Sequence, residues 1–418
     1  KKGRKERIIL KKKLWISLLS AVLLMTAAAA GTAGYSGVSL AKIAEKKTVI
    51  IDPADYGAVA DDDNDDGAGL QKALDAAKSK GGTVLLAKGE YILKKQAITI
   101  PKGVTLRGAS EGTPGAESVP NFTIGIGRKD EKGTAAINLE AGASLKSVAI
   151  AYSLQNADNP ISYSYAIRLK GKNCTVSDIY CPNAYNLIDA GSYDTAGHVL
   201  EDMHIWVFNN AVYVDKNSGN GVIRNVHIWP FNGSGSSYAM NKGIGFKLGA
   251  AKNERIENCF VISFGTGFEF KNYGSGTGTY QVKMSGSDCG PLGFKVDGVT
   301  SLTVDQGQIM ELLQIGAANK GNVTLIDCGF WTFSSPTYQV VNHGSGKLTL
   351  RGCHMDQGIY ADNGSLDIDS CYINKDSKQL VLDRGVQSAS VRNTLFQKAV
   401  GIQNSSGKTI SAENNRAY

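Results

Sequence analysis

The chain has 418 residues, among them 49 Gly, 9 Pro and 7 Cys. Its 42% hydrophobic and 20% charged residues exclude a disordered chain, and the glycines follow no Gly-X-Y period, which excludes collagen. The net charge of +7 belongs to the first 33 residues, which hold eight of the 45 basic side chains and one of the 38 acids, so the body is balanced at 37 of each sign and has no overall pull on nucleic acid.

Residues 1–13 are basic, Leu14–Ala30 is an unbroken apolar run, and the small-residue segment GTAGYSG follows. That order predicts a secretory signal peptide over 1–33, cleaved near Ala30–Gly34, and hence a secreted or cell-surface protein. The membrane is met only through this leader, if it stays uncleaved. Residues 34–47 read as a linker and 48–418 as one domain.

The domain opens with DPADYGAVADDDNDD followed by GAGLQKALDAAK. Asp65 and Asp66 stand where carboxylates cap a helix and meet its positive end. Leu70, Ala73, Leu74 and Ala77 share one face, so this helix is suited to plug the open end of a solenoid. The acidic run could take Ca²⁺, but it lacks the Gly and distal Glu of an EF-hand loop, and the cap reading is preferred. No cofactor is expected.

With GGTVLL and IPKGVTLRG after it, the segment 52–108 resembles the N-terminal signature of the pectate lyase superfamily, and is similar to the glycoside hydrolase family 28-related proteins. The resemblance implies a polysaccharide-type scaffold. It carries over no catalytic residue, because the GHG and RIK segments of polygalacturonases, the DPHE of alginate epimerases and the arginine motif of calcium pectate lyases do not occur.

From residue 176 onward a phrase of period two recurs: VSDIYC, LEDMHI, IRNVHI, IENCFV, then MSGSDC, VDQGQI, LIDCGF, LRGCHM, IDSCYI and VRNTLF. The mean step is about 24 residues, which predicts an all-β, right-handed, single-stranded parallel β-helix of eleven or twelve coils, closed by the short N-terminal helix. In this register Cys259, Cys328, Cys353 and Cys371 share one inward column with Ile179, Met203, Val226 and Thr394, as buried thiols. Cys353 and Cys371 are near enough in the scheme to pair, but core thiols are favoured. The preceding column, Asp178, Asp202, Asn225, Asn258, Asp327 and Asn393, reads as a stacked left-handed turn.

Two outward rows carry chemistry. In MHIW (203–206) and VHIW (226–229), His204 and His227 face outward with Trp206 and Trp229 beside them, and Trp331 shares the row. Flat aromatic faces suit sugar rings. Glu201, Arg224 and Glu257 form the row just before the turn. The competing reading is that the segment after Trp229, PFNGSGSSYAMNKG, folds over these aromatics.

The strand after the long loops presents Arg168, Tyr213, Lys247, Glu269, Lys295 and Gln314, with Asp189, Asp215 and Asp297 at strand ends. Direct stacking would set Asp189 and Asp215 about 5 Å apart and Asp215 and Glu269 about 10 Å apart. The larger gap suits an inverting glycosidase. The leading expectation is a glycoside hydrolase with Asp215 and Glu269 as acid and base, Asp189 as third carboxylate, and Arg168, Tyr213 and Lys247 orienting the sugar. A polysaccharide lyase using a basic side chain to take a uronate C5 proton is the alternative, and a non-catalytic carbohydrate-binding adhesin is a third reading. The partner in each case is a polysaccharide.

Overall fold

The computed structural model describes residues 49–79, 81–109, 119–231 and 235–418. The leader and the whole of the linker, and with them the signal-peptide reading, lie outside the described residues. Thirty-four strands are described, every strand pairing is parallel, and the chain winds as a right-handed β-helix. Only two α-helices occur among the described residues, Gly67–Lys78 (α1) and Ser237–Lys242 (α2).

Three strand columns make up the coils. Sheet B leads into a sharp bend, sheet C follows it, and sheet A comes after the long loops. The bend is a column of left-handed residues: Ser147, Asp178, Asp202, Asn225, Asn258, Met284, Gln306, Asp327, Gly352, Ser370, Asn393 and Asn414, with φ between 46° and 65°. Asn and Asp tolerate that backbone, and their amides stack: Asn225 Nδ2 donates to Asp202 Oδ1 at 2.8 Å and Asn258 Nδ2 to Asn225 Oδ1 at 3.0 Å. The stacked turn expected from sequence is therefore present in each of the six predicted positions.

One repeat was misframed. The fourth position of the phrase, which is the inward one in its other copies, is Ser287 in MSGSDC, but His227 pairs with Phe260 and Phe260 with Gly286, so the inward residue is Ser285 and the left-handed one is Met284. An apolar residue at the head of the phrase looked like the usual inward Leu or Ile. The apolar residue in that role is Val282, two positions earlier, which pairs with Ile256.

The core runs the length of the domain. In sheet A the inward column is Ile167, Ile188, Val212, Phe246, Phe268, Phe294, Leu313 and Val340, all buried. Phe246, Phe268 and Phe294 stack with centroids 4.6 Å apart at each step, so one coil's ring covers the next. Phe268→Leu, which keeps the volume roughly but breaks both stacks, should cost about 1–1.5 kcal/mol in urea unfolding. All seven cysteines are buried free thiols, those of the predicted column among them.

Helix α1 buries Leu70, Ala73, Leu74 and Ala77 as expected and packs on the first strands. The Asp66 side chain does not cap it. Asp66 Oδ2 accepts from Ile92 N at 2.7 Å, Asp65 Oδ2 accepts from Lys94 N and Lys95 N, and Asp61 Oδ1 accepts from Glu90 N. The acidic run thus clamps the chain to the next coil, and only Asp65 also meets the helix start, its Oδ1 accepting from Gly67 N at 3.3 Å. Burial pushes the Asp66 carboxyl up to about 6. Among the described residues no group of three or more His, Cys, Asp or Glu side chains is arranged to hold a metal ion.

Candidate functional site

Sheet A's outward column reads Asn138, Arg168, Asp189, Tyr213, Lys247, Glu269, Lys295 and Gln314 in register. The predicted row is therefore one continuous surface. Asp189, however, stacks on Tyr213 and not on Asp215, which corrects the expected carboxylate pair. The cause is local: Asp189 is a full strand residue, whereas Asp215 lies beyond the end of its strand at Val214.

Each carboxylate of this face is engaged. Asp189 is 1% exposed and accepts from Gly191 N (3.0 Å), Ser192 N (2.8 Å), Ser192 Oγ (2.6 Å) and Arg168 Nε (2.7 Å). Asp215, also 1% exposed, accepts from Ala250 N at 2.6 Å and from the Tyr213 hydroxyl at 3.2 Å. Glu269 accepts from the Tyr273 hydroxyl and from Lys295 Nζ at 3.0 Å. Burial raises the Glu269 pKa, but those two donors outweigh it and hold the group below its ordinary value. A carboxylate held ionised is a poor general acid. Asp189→Asn, which leaves Arg168 without its counter-charge, should cost about 1–3 kcal/mol in a urea titration.

Lys247 differs. Its ammonium sits 5.0 Å from the Tyr213 ring centroid and 4.7 Å from that of Tyr273, and among the described residues no carboxylate lies within ion-pair distance. Burial lowers its pKa below 10.5, outweighing the opposing pull of the Glu269, Asp189 and Asp215 charges, and the nearby Lys271 adds to the lowering. Tyr273 comes from the Gly/Ser loop 271–277, which folds back over the sheet and brings its ring 5.8 Å from that of Tyr213. In sequence the tract NYGSGTGTY (272–280) reads as a surface loop or lid, a reading that does not single out Tyr273. An aromatic inside a Gly/Ser tract is the signal that could have found it.

The aromatic doublet divides. Trp206 is 5% exposed and packs edge-on to Phe208, so the expected outward indole is buried. The coils Thr175–Ala190 and Val199–Val214 have no loop of their own, and the loops of the coils on either side bridge over them. Ser236 Oγ donates to Ala157 O at 2.6 Å, and the Tyr185 and Tyr238 hydroxyls meet at 2.7 Å. Phe231 of the same loop lies 4.2 Å from the His204 ring. His204 and His227 are paired in register and half-buried, and burial pulls both pKa values down. Trp229 stays half-exposed. Glu201, Arg224 and Glu257 do form one outward row, and Arg224 Nε donates to Glu201 Oε2 at 2.7 Å. Lys283 and Asp305 continue the row, making an alternating charge ladder.

A groove of about 610 Å³ lies over the bend between sheets B and C, lined by Lys146, Asp202, Asn225, His227 and Trp229 among others. A second, of about 380 Å³, adjoins it through His227, Trp229 and Asn258.

The A-module of the mannuronan C-5 epimerase AlgE6 from Azotobacter vinelandii is 14% identical over 88% of this chain and 99% of its own, with a TM-score of 0.52. The tailspike of E. coli bacteriophage HK620, in complex with a hexasaccharide, is 14% identical over 84% and 71%, with a TM-score of 0.51. The Streptococcus pneumoniae surface adhesin PfbA is 12% identical over 87% and 93%, with a TM-score of 0.50. These likenesses are of fold. No curated protein matches the sequence. Residues 51–346, most of the β-helix, match one family. The chain belongs to the rhamnogalacturonase A/epimerase, pectate lyase-like family.

Proposed function

We propose that this chain is an exported enzyme that cleaves a uronate-containing polysaccharide by elimination on sheet A, with Lys247 as the base. The observation that carries this reading is Lys247 itself: a lysine with a lowered pKa, held between two tyrosine rings, with no carboxylate within ion-pair distance among the described residues. A desolvated lysine loses its proton at a lower pH and becomes a competent base. The family's pectate lyase-like character supports a uronate polymer, and the basic and apolar leader supports export.

In the proposed step, neutral Lys247 Nζ takes the C5 proton of a uronate residue. The freed electron pair forms a C4=C5 double bond and the C4–O bond breaks. The new ammonium then returns the proton to the leaving oxygen, so no water is consumed. The exposed Lys271 meets the carboxylate of that uronate residue, and Arg168, three coils away in the register and anchored by Asp189 and by Gly133 O, meets the carboxylate of a uronate further along the polymer. Tyr213 and Tyr273, each donating to a fixed carboxylate, hold the lysine in place. Hydrolysis by Asp215 and Glu269 is disfavoured, because both are already committed as acceptors.

The test is to incubate the protein with polygalacturonate, rhamnogalacturonan, alginate and a neutral glucan and to weigh the products. Elimination gives fragments whose masses sum to the parent and whose new ends absorb in the ultraviolet. Fragments heavier by one water per cut would overturn the reading in favour of a hydrolase. Retention of a polymer without any cut would make the chain a binding protein.

A further inference from the structure

The groove over the left-handed bend lies on a different face from Lys247, between sheets B and C, and it has its own chemistry. Its part around Trp229 is lined by His227, Asn258, Met284, Gln306 and Gln308, with no acidic, Lys or Arg side chain among the lining residues. Amides on Asn258, Gln306 and Gln308 offer both donors and acceptors, and the half-exposed Trp229 offers a flat apolar face.

Met284 is the anomaly. It sits in the left-handed column at φ 46° with 55% of its surface exposed. A left-handed backbone disfavours such a side chain, and the groove lining holds its exposed apolar surface in line with that of Trp229. The amide ladder also ends here: Asn258 donates to Asn225, and the next residue of the column, Met284, has no amide to donate to the Asn258 carbonyl. Apolar surface on Trp229 and Met284 thus brackets a polar edge on Asn258, in a groove that runs along the solenoid axis. Adjacent coils are about 4.8 Å apart, so the two joined grooves, spanning the coils from Lys146 to Gln308, extend about 30 Å.

We infer that this groove is a second glycan-binding site, which takes a neutral oligosaccharide along the helix axis with Trp229 and Met284 against its apolar ring faces and Asn258, Gln306 and Gln308 on its hydroxyls. The absence of Asp, Glu, Lys and Arg from the lining around Trp229, where the sugar is centred, sets this part of the groove apart from sheet A, whose proposed substrate is anionic. Carbohydrate fits a groove of alternating flat apolar and amide surface better than an apolar peptide or a polyanion does.

The test is calorimetric titration of the full chain with cellohexaose, laminarihexaose and xylohexaose. At least one is expected to bind, and Trp229→Ala should weaken it about tenfold or more. Because Trp229 also packs on His204 and His227, Met284→Asn is the second variant. Asn suits the left-handed backbone, so this variant should unfold no earlier than the parent yet bind about threefold or more weakly. Lys247→Met should leave this binding unchanged, which separates the groove from the proposed chemistry on sheet A. Binding of none of the three sugars overturns the inference. So does binding that survives both Trp229→Ala and Met284→Asn, or that disappears with Lys247→Met.

Discussion

Lys247→Met is expected to lower the rate of polyuronate cleavage by about 10²–10⁴-fold while leaving the thermal unfolding midpoint close to the parent's. Methionine keeps the apolar stem between Tyr213 and Tyr273 and removes only the basic nitrogen. Lys247→Arg is the sharper variant. A guanidinium keeps the positive charge over both rings but does not deprotonate, so this variant should retain polymer binding and lose turnover. The parent rate should rise with pH as Lys247 loses its proton, with a midpoint below the ordinary lysine value of 10.5. A rate independent of pH through that range, or an active Lys247→Arg, would remove Lys247 from the chemistry.

A second large effect is expected far from that face. His198 and Glu254 are fully buried side chains joined at 3.0 Å, with Glu254 Oε2 accepting from Asn217 Nδ2 at 2.8 Å and His198 Nδ1 lying 3.0 Å from Thr195 O. Gly221 lies against them, and a Cβ there would meet the Glu254 carboxylate at 2.2 Å, so the pair depends on that glycine. Burial pushes the His198 pKa down, but the Glu254 carboxylate outweighs it and raises the value above 6.5. Glu254→Ala strands the buried imidazolium and should cost about 3–5 kcal/mol. His198→Leu with Glu254→Met removes both charges and should cost less, since a buried pair is roughly neutral against apolar residues of similar volume.

The pH dependence follows from the same pair. A histidine whose folded pKa exceeds its unfolded value contributes stability that is complete below about pH 6.5 and is lost as pH rises through the folded value. The parent's urea midpoint should therefore fall on the alkaline side of that window, and in the double variant this component of the fall should vanish. An identical pH profile in the two proteins would contradict the ion pair.

The fold was legible because a solenoid repeats its instructions. Most coils restate an inward apolar or small residue and a left-handed Asn or Asp, so an error in one coil, as at Met284, leaves its neighbours in frame. The sheet A row was equally readable, since alternation along a strand fixes which side chains face out. What could not be read was how loops and strand ends use that row. Asp189 and Asp215 look alike as outward carboxylates, yet one is a strand residue bonded to Arg168 and the other is a turn anchor under Ala250. Trp206 and Trp229 occupy equivalent positions in two copies of one phrase. Only the loops bridging from flanking coils decide that one is buried and the other half-exposed. Glu254 did leave a trace, because it lies two residues before the inward Ile256 and so falls on the inward side of its strand, where a charge needs a partner. Its partner His198 is 56 residues away in sequence, beyond the reach of pattern.

The most direct measurement uses a uronate oligomer deuterated at C5, at the pH of maximal turnover. If Lys247 takes the C5 proton, each cut removes one deuterium, the product carries a C4=C5 double bond, and cleavage is slower than with the protiated oligomer. Products that keep every deuterium and gain one water per cut would contradict the account, and would return the chemistry to a pair of carboxylates.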